Sequence, residues 1–163
     1  MFRRIPVALR LASAHKRALK NFADELSRQV TEGRPFNCVV TNDRELRRLN
    51  YDFLGHDYST DVLSFPSGDS SDVVSPRASA CFELLGDVAI SSERASAQAA
   101  EFGHSLIDEL RILMLHGVLH LSGFDHESDS GRMARAERKW RVHFALPQTL
   151  IERSGAPAGG VRR

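Results

Sequence analysis

The sequence has few cysteines and no long apolar run, and each shortage excludes a class of protein. Only two of the 163 residues are cysteine, and Cys38 and Cys81 are too far apart to form a C-x-x-C pair. This usage excludes a disulfide framework and a thiolate zinc site, and it is typical of a reducing cytosol. Since no uncharged apolar run approaches the roughly 18 residues of a membrane span, we expect a cytoplasmic protein.

Neither sign of charge dominates, because 22 basic and 21 acidic residues give a formal net charge of +1. The bulk charge therefore does not indicate a nucleic acid as the partner. With 42% hydrophobic residues, the chain is too apolar to be collagen-like or wholly disordered, and its length suits one domain. We expect that domain to span residues 1–152, followed by a disordered tail at 153–163 that is rich in Gly, Pro, Ala and Arg.

The order of the apolar patterns predicts an α+β fold, with about four strands in a mixed sheet packed with four to six helices. Strands are predicted at residues 5–9, 36–40, 62–65 and 84–90. Helices are predicted at residues 19–30, 42–53, 92–103, 105–122 and 133–144. Gly86, inside the fourth predicted strand, is expected to mark a bulge or a close approach of another part of the chain.

Three of the seven histidines fall within residues 116–126. His116 and His120 are four apart on a predicted helix, so their rings project from the same face. Gly123 stands where that helix should end, and a turn there can bring His126 back as a third ligand. Three neutral imidazoles leave the fourth position of a tetrahedral zinc for water, as in catalytic sites. We therefore predict that His116, His120 and His126 bind one Zn²⁺ and form the catalytic site.

Two other interpretations of this segment are possible. His116 and His120 could be core histidines, although burying imidazoles without partners costs free energy. The spacing is also that of the metzincin proteases, H-E-x-x-H-x-x-G-x-x-H, but Gly117 stands where those enzymes carry their general-base glutamate. Peptidase chemistry is therefore not expected, while a metallohydrolase of small molecules stays open.

Three residues close to the predicted metal site or to glycines have both a functional and a structural interpretation. Asp125 could orient the ring of a ligand or be an ordinary turn residue. Asp87 follows a glycine in a strand and is interpreted as a structural residue that binds backbone. His104 follows Gly103, and capping of the preceding helix is favoured over a place in the site.

Basic residues form two groups on predicted helices. Members of each group recur at spacings of three or four, which places several of them on a shared face: Arg44, Arg47 and Arg48 on one helix, and Arg132, Arg135, Arg138, Lys139 and Arg141 on the last. Each group could follow an RNA backbone. The alternative is a solvated face that Glu45 or Glu137 balances.

Three segments of the sequence point to one family when they are taken together. They read T-D-V-L-S-F-P at residues 60–66, L-G-D-V-A-I-S at 85–91 and H-G-V-L-H-L-S-G-F-D-H at 116–126. In order and spacing they resemble the YbeY family of bacterial metal-dependent endoribonucleases, over roughly residues 35–145. The histidine segment is the most specific of the three.

The resemblance implies one zinc held by His116, His120 and His126, and cleavage of single-stranded RNA. It also implies a role in maturation of the 3′ end of small-subunit ribosomal RNA, and in ribosome quality control, with the ribosomal small subunit as partner. The family usually carries an arginine where this sequence has Leu54, so any role of that arginine must be supplied by other residues. A zinc-stabilised ribosome-assembly factor without nuclease activity of its own is the alternative.

Overall fold

The computed structural model describes residues 11–68, 83–124 and 130–148, which contain five helices and three strands. The helices are α1 (Ser13–Gln29), α2 (Asp43–Leu54), α3 (Ser92–Phe102), α4 (Leu106–Leu121) and α5 (Arg132–His143). The strands are β1 (Asn37–Thr41), β2 (Val62–Pro66) and β3 (Gly86–Ser91). Among these residues, no helix is long and apolar enough to cross a membrane.

Polar side chains fix the positions at which three of the helices begin. Asn42, Ser91 and Ser105 each accept a hydrogen bond from the backbone N–H three residues later, at 2.8, 3.2 and 3.2 Å. Each bond satisfies a donor that the first turn of a helix leaves without a partner inside the helix. The helices α2, α3 and α4 begin at Asp43, Ser92 and Leu106, within one residue of the starts that the sequence predicts.

The strands form one mixed sheet in the order β1-β3-β2. The central strand β3 runs parallel to β1 and antiparallel to β2. The predicted α+β class, the mixed sheet and the number of helices are confirmed, although the described sheet has three strands rather than about four. The strand expected at residues 5–9 and the tail expected at 153–163 both lie outside the described residues.

The two faces of the sheet are covered by different helices. Alternate residues of β3 point to opposite faces, as the pleat requires. Val88 and Ile90 join the larger core that α1 and α4 also line, whereas Ala89 packs with Leu46 and Leu49 of α2. As a result, α4 packs on β2 and β3, and another side of the same helix contacts α5.

Gly86 marks the place where β2, β3 and the end of α4 come closest together. A Cβ atom at this position would lie 2.4 Å from the Phe65 carbonyl oxygen and 2.7 Å from Leu121 Cδ2. Both distances are shorter than real Cβ contacts, and the nearer atom belongs to the backbone of β2, so a side chain at this position would force β2 and β3 apart. The predicted close approach at Gly86 is confirmed.

Candidate functional site

The helix α4 places His116 and His120 side by side. They are one turn apart on the same flank, and their ring centroids lie 4.9 Å apart with an angle of 69° between the planes. Both residues are partly buried, whereas the residues between them are buried in the core. The predicted pairing of the two imidazoles is therefore confirmed, and a core position for both is not.

Gly117 determines how deeply this part of α4 sits on the sheet. A Cβ atom here would lie 2.7 Å from Val88 Cγ1 and 3.1 Å from Ser64 Oγ. Ser64 Oγ also donates a hydrogen bond of 3.0 Å to the Gly117 carbonyl oxygen. Position 117 therefore faces the sheet and has no room for the glutamate of a metzincin. The general-base glutamate of the metzincins is thus excluded from this position by the packing of the helix on the sheet.

A buried carboxylate from α5 lies behind the histidine pair. His116 Nδ1 is 3.1 Å from Glu137 Oε2, and Arg141 donates to Glu137 Oε1 at 2.6 Å. Burial alone would raise the pKa of the Glu137 carboxyl, but the charges and hydrogen bonds of His116 and Arg141 outweigh it and lower that pKa to about 2. The carboxylate is consequently ionised at neutral pH.

From the sequence, Arg141 is grouped with the basic residues of a helix face that either follows RNA or is solvated and balanced by Glu137, and the exposure that both interpretations require was wrong for Arg141 and Glu137. Arg141 is fully buried and Glu137 is 4% exposed. Both continue the buried stripe that begins at Met133, because residues four apart on a helix share a face. The spacing of four residues could have predicted their burial, because it places Glu137 and Arg141 on the same helix face as the core residue Met133.

The third predicted ligand, His126, and its neighbour Asp125 lie outside the described residues. Within the described ranges, no group of three His, Cys, Asp or Glu residues could hold a metal ion. The zinc site of three histidines therefore stays a prediction. The turn that would deliver His126 is partly visible, because Gly123 has a φ of +94° and its N–H donates to the His120 carbonyl at 3.0 Å.

The two described histidines, His116 and His120, are nevertheless suited to binding zinc. Two imidazoles on one flank of a helix are typical zinc ligands, and a histidine ligand commonly donates its other ring N–H to a carboxylate. Because Glu137 is bonded to Nδ1 of His116, this ring would bind a metal through Nε2.

His104 is a structural residue with a nearly inaccessible side chain, although its main contact differs from the one expected. Its backbone N–H bonds to the Ala99 carbonyl at the end of α3, as a capping residue would. Its Nε2, however, is bonded to the carboxylate of Glu109 near the start of α4, and both side chains are almost inaccessible. This contact ties the end of α3 to α4, at the opposite end of the helix from the histidine pair.

Two further sequence positions have structural roles. Asp87 accepts a hydrogen bond of 2.9 Å from the Asn37 side chain across β1 and β3, so its observed partner is a side chain rather than backbone. Leu54, which stands where the family usually has arginine, is the last residue of α2 and packs on the core shared with β2 and β3.

The two basic groups differ in how their charges are balanced. On α2, Arg47 forms two hydrogen bonds with Asp57, and Arg48 is paired with Glu45 and Asp52. The predicted balance by acidic neighbours is thus confirmed for this group. On α5, the only acidic side chain is Glu137, which is buried and bonded to Arg141 and His116.

The exposed residues of α5 therefore form a basic face. It consists of Arg132, Arg135, Arg138 and Lys139, all of them exposed. Across the described part of the chain, no carboxylate forms an ion pair with any of these four residues. Arg132 lies over the ring of Phe124, 5.7 Å from its centroid, and so links this basic face to the turn that follows α4.

Fold and site together define a small α+β protein in which one helix carries an H-x-x-x-H pair backed by a buried carboxylate. A sequence model of the family described as Endoribonuclease YbeY matches residues 4–144. The chain belongs to the endoribonuclease YbeY family.

Individual relatives agree with this assignment over nearly the whole chain. The chain is 52% identical to the Endoribonuclease YbeY of Solibacter usitatus, over 93% of this chain and 91% of that one. It is 44% identical to the Endoribonuclease YbeY of Koribacter versatilis, over 91% of this chain and 90% of that one. The solution structure of TM1509 from Thermotoga maritima is similar with a TM-score of 0.50 and 26% identity, over 83% of this chain and 91% of that one.

Proposed function

We propose that this protein is a zinc-dependent endoribonuclease of single-stranded RNA, with His116, His120 and His126 as its metal ligands. The observation that carries the proposal is the His116–His120 pair, backed by Glu137, in a chain of the endoribonuclease YbeY family. A zinc ion held there would polarise a phosphoryl oxygen of the substrate and lower the pKa of a bound water towards about 7.

The residues of the chain supply the rigid frame for this chemistry. The packing of Gly117 on Val88 and Ser64 fixes the height of α4 above the sheet, and with it both imidazoles. Placing the two ligands on one helix keeps their separation constant, which a catalytic centre requires.

The basic face of α5 supports RNA as the substrate. Its four cations carry no ion pair with any described carboxylate, and they begin beside Phe124, at the turn leading towards His126. A single strand that follows this face would have its phosphates neutralised by arginine and lysine. The +1 net charge of the whole chain is compatible with this, because opposite charges are paired elsewhere, as on α2.

The biological role we propose is maturation of the 3′ end of small-subunit ribosomal RNA in the cytoplasm, together with ribosome quality control. The resemblance of residues 60–66, 85–91 and 116–126 to the family supports this role. A small-subunit precursor with an unprocessed 3′ end is accordingly the natural substrate for an assay.

The experiment is cleavage of that precursor and of a generic single-stranded RNA by purified protein, beside a perfect RNA duplex. His120→Ala is the test variant, and His56→Ala is the matched control, because His56 stacks on Tyr58 in the segment after α2 and does not belong to the histidine segment at 116–126. We expect cleavage of the single strands by the parent chain and His56→Ala, and none by His120→Ala. Equal cleavage by His120→Ala would mean that a contaminating nuclease is measured, and the proposal would be wrong.

The same experiment separates the alternative function. Leu54 stands where the family usually has an arginine, and this motivates a zinc-stabilised assembly factor without nuclease activity. That protein would bind zinc and cut none of the RNAs, and the metal-free variant would still support normal maturation of ribosomal RNA in cells.

A further inference from the structure

We propose that Glu137 and Arg141 are positioning residues that hold the His116 ring in the tautomer and orientation needed to bind metal. The inference rests on the proposed function, since it concerns the same site. Three side chains, those of His116, Glu137 and Arg141, lie in a row across the contact between α4 and α5. His116 Nδ1 meets Glu137 Oε2 at 3.1 Å, and the other carboxylate oxygen accepts from Arg141 at 2.6 Å.

The chemistry of the carboxylate decides the tautomer of His116. A guanidinium can only donate, so Glu137 accepts from Arg141 at Oε1, and its other oxygen, which lies 3.1 Å from His116 Nδ1, is the acceptor for the N–H of that ring nitrogen. In a neutral imidazole, the lone pair is then on Nε2, which is the nitrogen that this ring would offer to zinc. Glu137 thus selects the metal-binding form of His116 before any metal arrives.

Arg141 holds Glu137 in turn. It follows Glu137 by one helical turn, so both side chains lie on the face of α5 that packs on α4. A second bond from Arg141, 3.3 Å to the Pro147 carbonyl, anchors the guanidinium to the chain beyond α5. With one oxygen on Arg141 and the other on His116, the carboxylate cannot turn without losing a hydrogen bond.

The energetic cost of this arrangement argues for a purpose beyond packing. Taking two charges out of water is unfavourable, and apolar residues of similar volume commonly stabilise a protein at least as well. The neighbouring position on the same stripe is indeed the fully buried Met133. The charged pair is therefore explained by its action on the partly buried His116, which an apolar pair could not perform.

The chain contains a matched control for this proposal. His104 and Glu109 form a second buried pair of histidine and carboxylate, which also involves α4. Side-chain exposures are 6% and 0% in that pair, and 12% and 5% for His116 and Glu137. The two glutamates thus have similar burial and the same type of partner, but the histidine bonded to Glu137 is a predicted ligand, whereas His104, bonded to Glu109, is not.

The test is zinc affinity, measured by competition with a chelating dye, for the parent chain, Glu137→Gln and Glu109→Gln. A glutamine cannot accept from both His116 and Arg141, because one end of its amide only donates. We expect Glu137→Gln to weaken zinc binding about 10- to 100-fold, as loss of a ligand's carboxylate partner does elsewhere. Glu109→Gln should keep the parent affinity within about twofold, although both variants lose thermal stability.

A second readout does not depend on zinc. In the metal-free protein, ¹⁵N NMR of the imidazole should give the Nδ1–H tautomer of His116 in the parent chain and a mixture of tautomers in Glu137→Gln. The proposal is overturned if Glu137→Gln binds zinc like the parent chain, or if both variants weaken it equally. If the parent chain itself binds no zinc at this helix, the proposed function fails instead, and His116→Ala in the same titration tells the two failures apart.

Discussion

His116 and Glu137 are separated by 21 residues in the chain, yet their side chains meet 3.1 Å apart where α5 packs on α4. This contact converts a pair of histidines on a helix into an ordered site, because it ties one ring to a second element of the fold. It also explains why charged residues occur inside a contact between helices that is otherwise apolar. Both the proposed function and the positioning role of Glu137 depend on it.

Replacing Gly117 by alanine tests the packing of α4 on the sheet. The added methyl would meet Val88 at 2.7 Å, inside the distance of real contacts. Overpacking costs about 1–3 kcal/mol, and the better helix propensity of alanine returns up to about 1 kcal/mol. We expect urea unfolding to give a free energy of unfolding about 1 kcal/mol below that of the parent chain.

The control for this prediction makes room for the methyl group. In a Val88→Ala background, the closest contact is removed and the 3.1 Å approach to Ser64 Oγ remains, so Gly117→Ala should cost clearly less stability there than in the parent chain. An alanine at position 117 that costs as much in both backgrounds would contradict the packing described for α4.

Neutralising the basic face of α5 should weaken binding of single-stranded RNA. The variant carries Arg132→Gln, Arg135→Gln and Lys139→Gln, three exposed positions that are spaced three and four apart. Each lost phosphate contact lowers the slope of log affinity against log salt by about 0.7 for a single strand, so a total reduction of about 2 is expected. Fluorescence anisotropy over a range of salt concentrations measures this slope.

The matched control removes the same charge from α2, through Arg44→Gln, Arg47→Gln and Arg48→Gln. Arg47 and Arg48 are already paired with carboxylates, so this variant should keep a slope closer to that of the parent chain. Equal reductions of this slope in both variants would mean that RNA affinity depends on total charge alone, and the basic face would then have no special role.

The Cys38 thiol should be almost unreactive in the folded protein. It is partly buried where it packs against the larger core, and this burial raises its pKa from 9.0 to about 12. At pH 8, a rise of this size lowers the thiolate fraction about a thousandfold, and the thiolate is the reactive form. We expect iodoacetamide to modify Cys38 far more slowly in buffer than in urea.

The measurement needs a Cys81→Ser background, so that only one thiol is followed. Because the folded pKa of Cys38 lies above its unfolded value, its contribution to stability is complete below pH 9 and falls as the pH rises towards 12. Modification in buffer at the rate found in urea would place Cys38 on the surface, contrary to the described strand β1.

Short-range sequence patterns were enough to predict most of the fold. The caps at Asn42, Ser91 and Ser105 are short-range hydrogen bonds, so four residues are enough to find them. The pairing of His116 with His120 is equally local, since it depends only on helical geometry.

The rest of the site depends on contacts between distant segments. Glu137 and Arg141 have the spacing of an ordinary surface ion pair, and their burial is decided by how α5 lies on α4. Similarly, His104 gave no sign of its bond to Glu109, because that bond requires the chain to turn between α3 and α4. Position in three dimensions, rather than residue type, assigns these roles.

Zinc content decides whether the histidines of residues 116–126 hold one metal ion. Elemental analysis would be made on the folded parent chain, on single alanine variants of His116, His120 and His126, and on His15→Ala, a control on α1. We predict about one zinc per chain in the parent and in His15→Ala, and strongly reduced zinc in the other three. Full zinc in all three of those variants, or none in the parent after zinc is supplied, would contradict it.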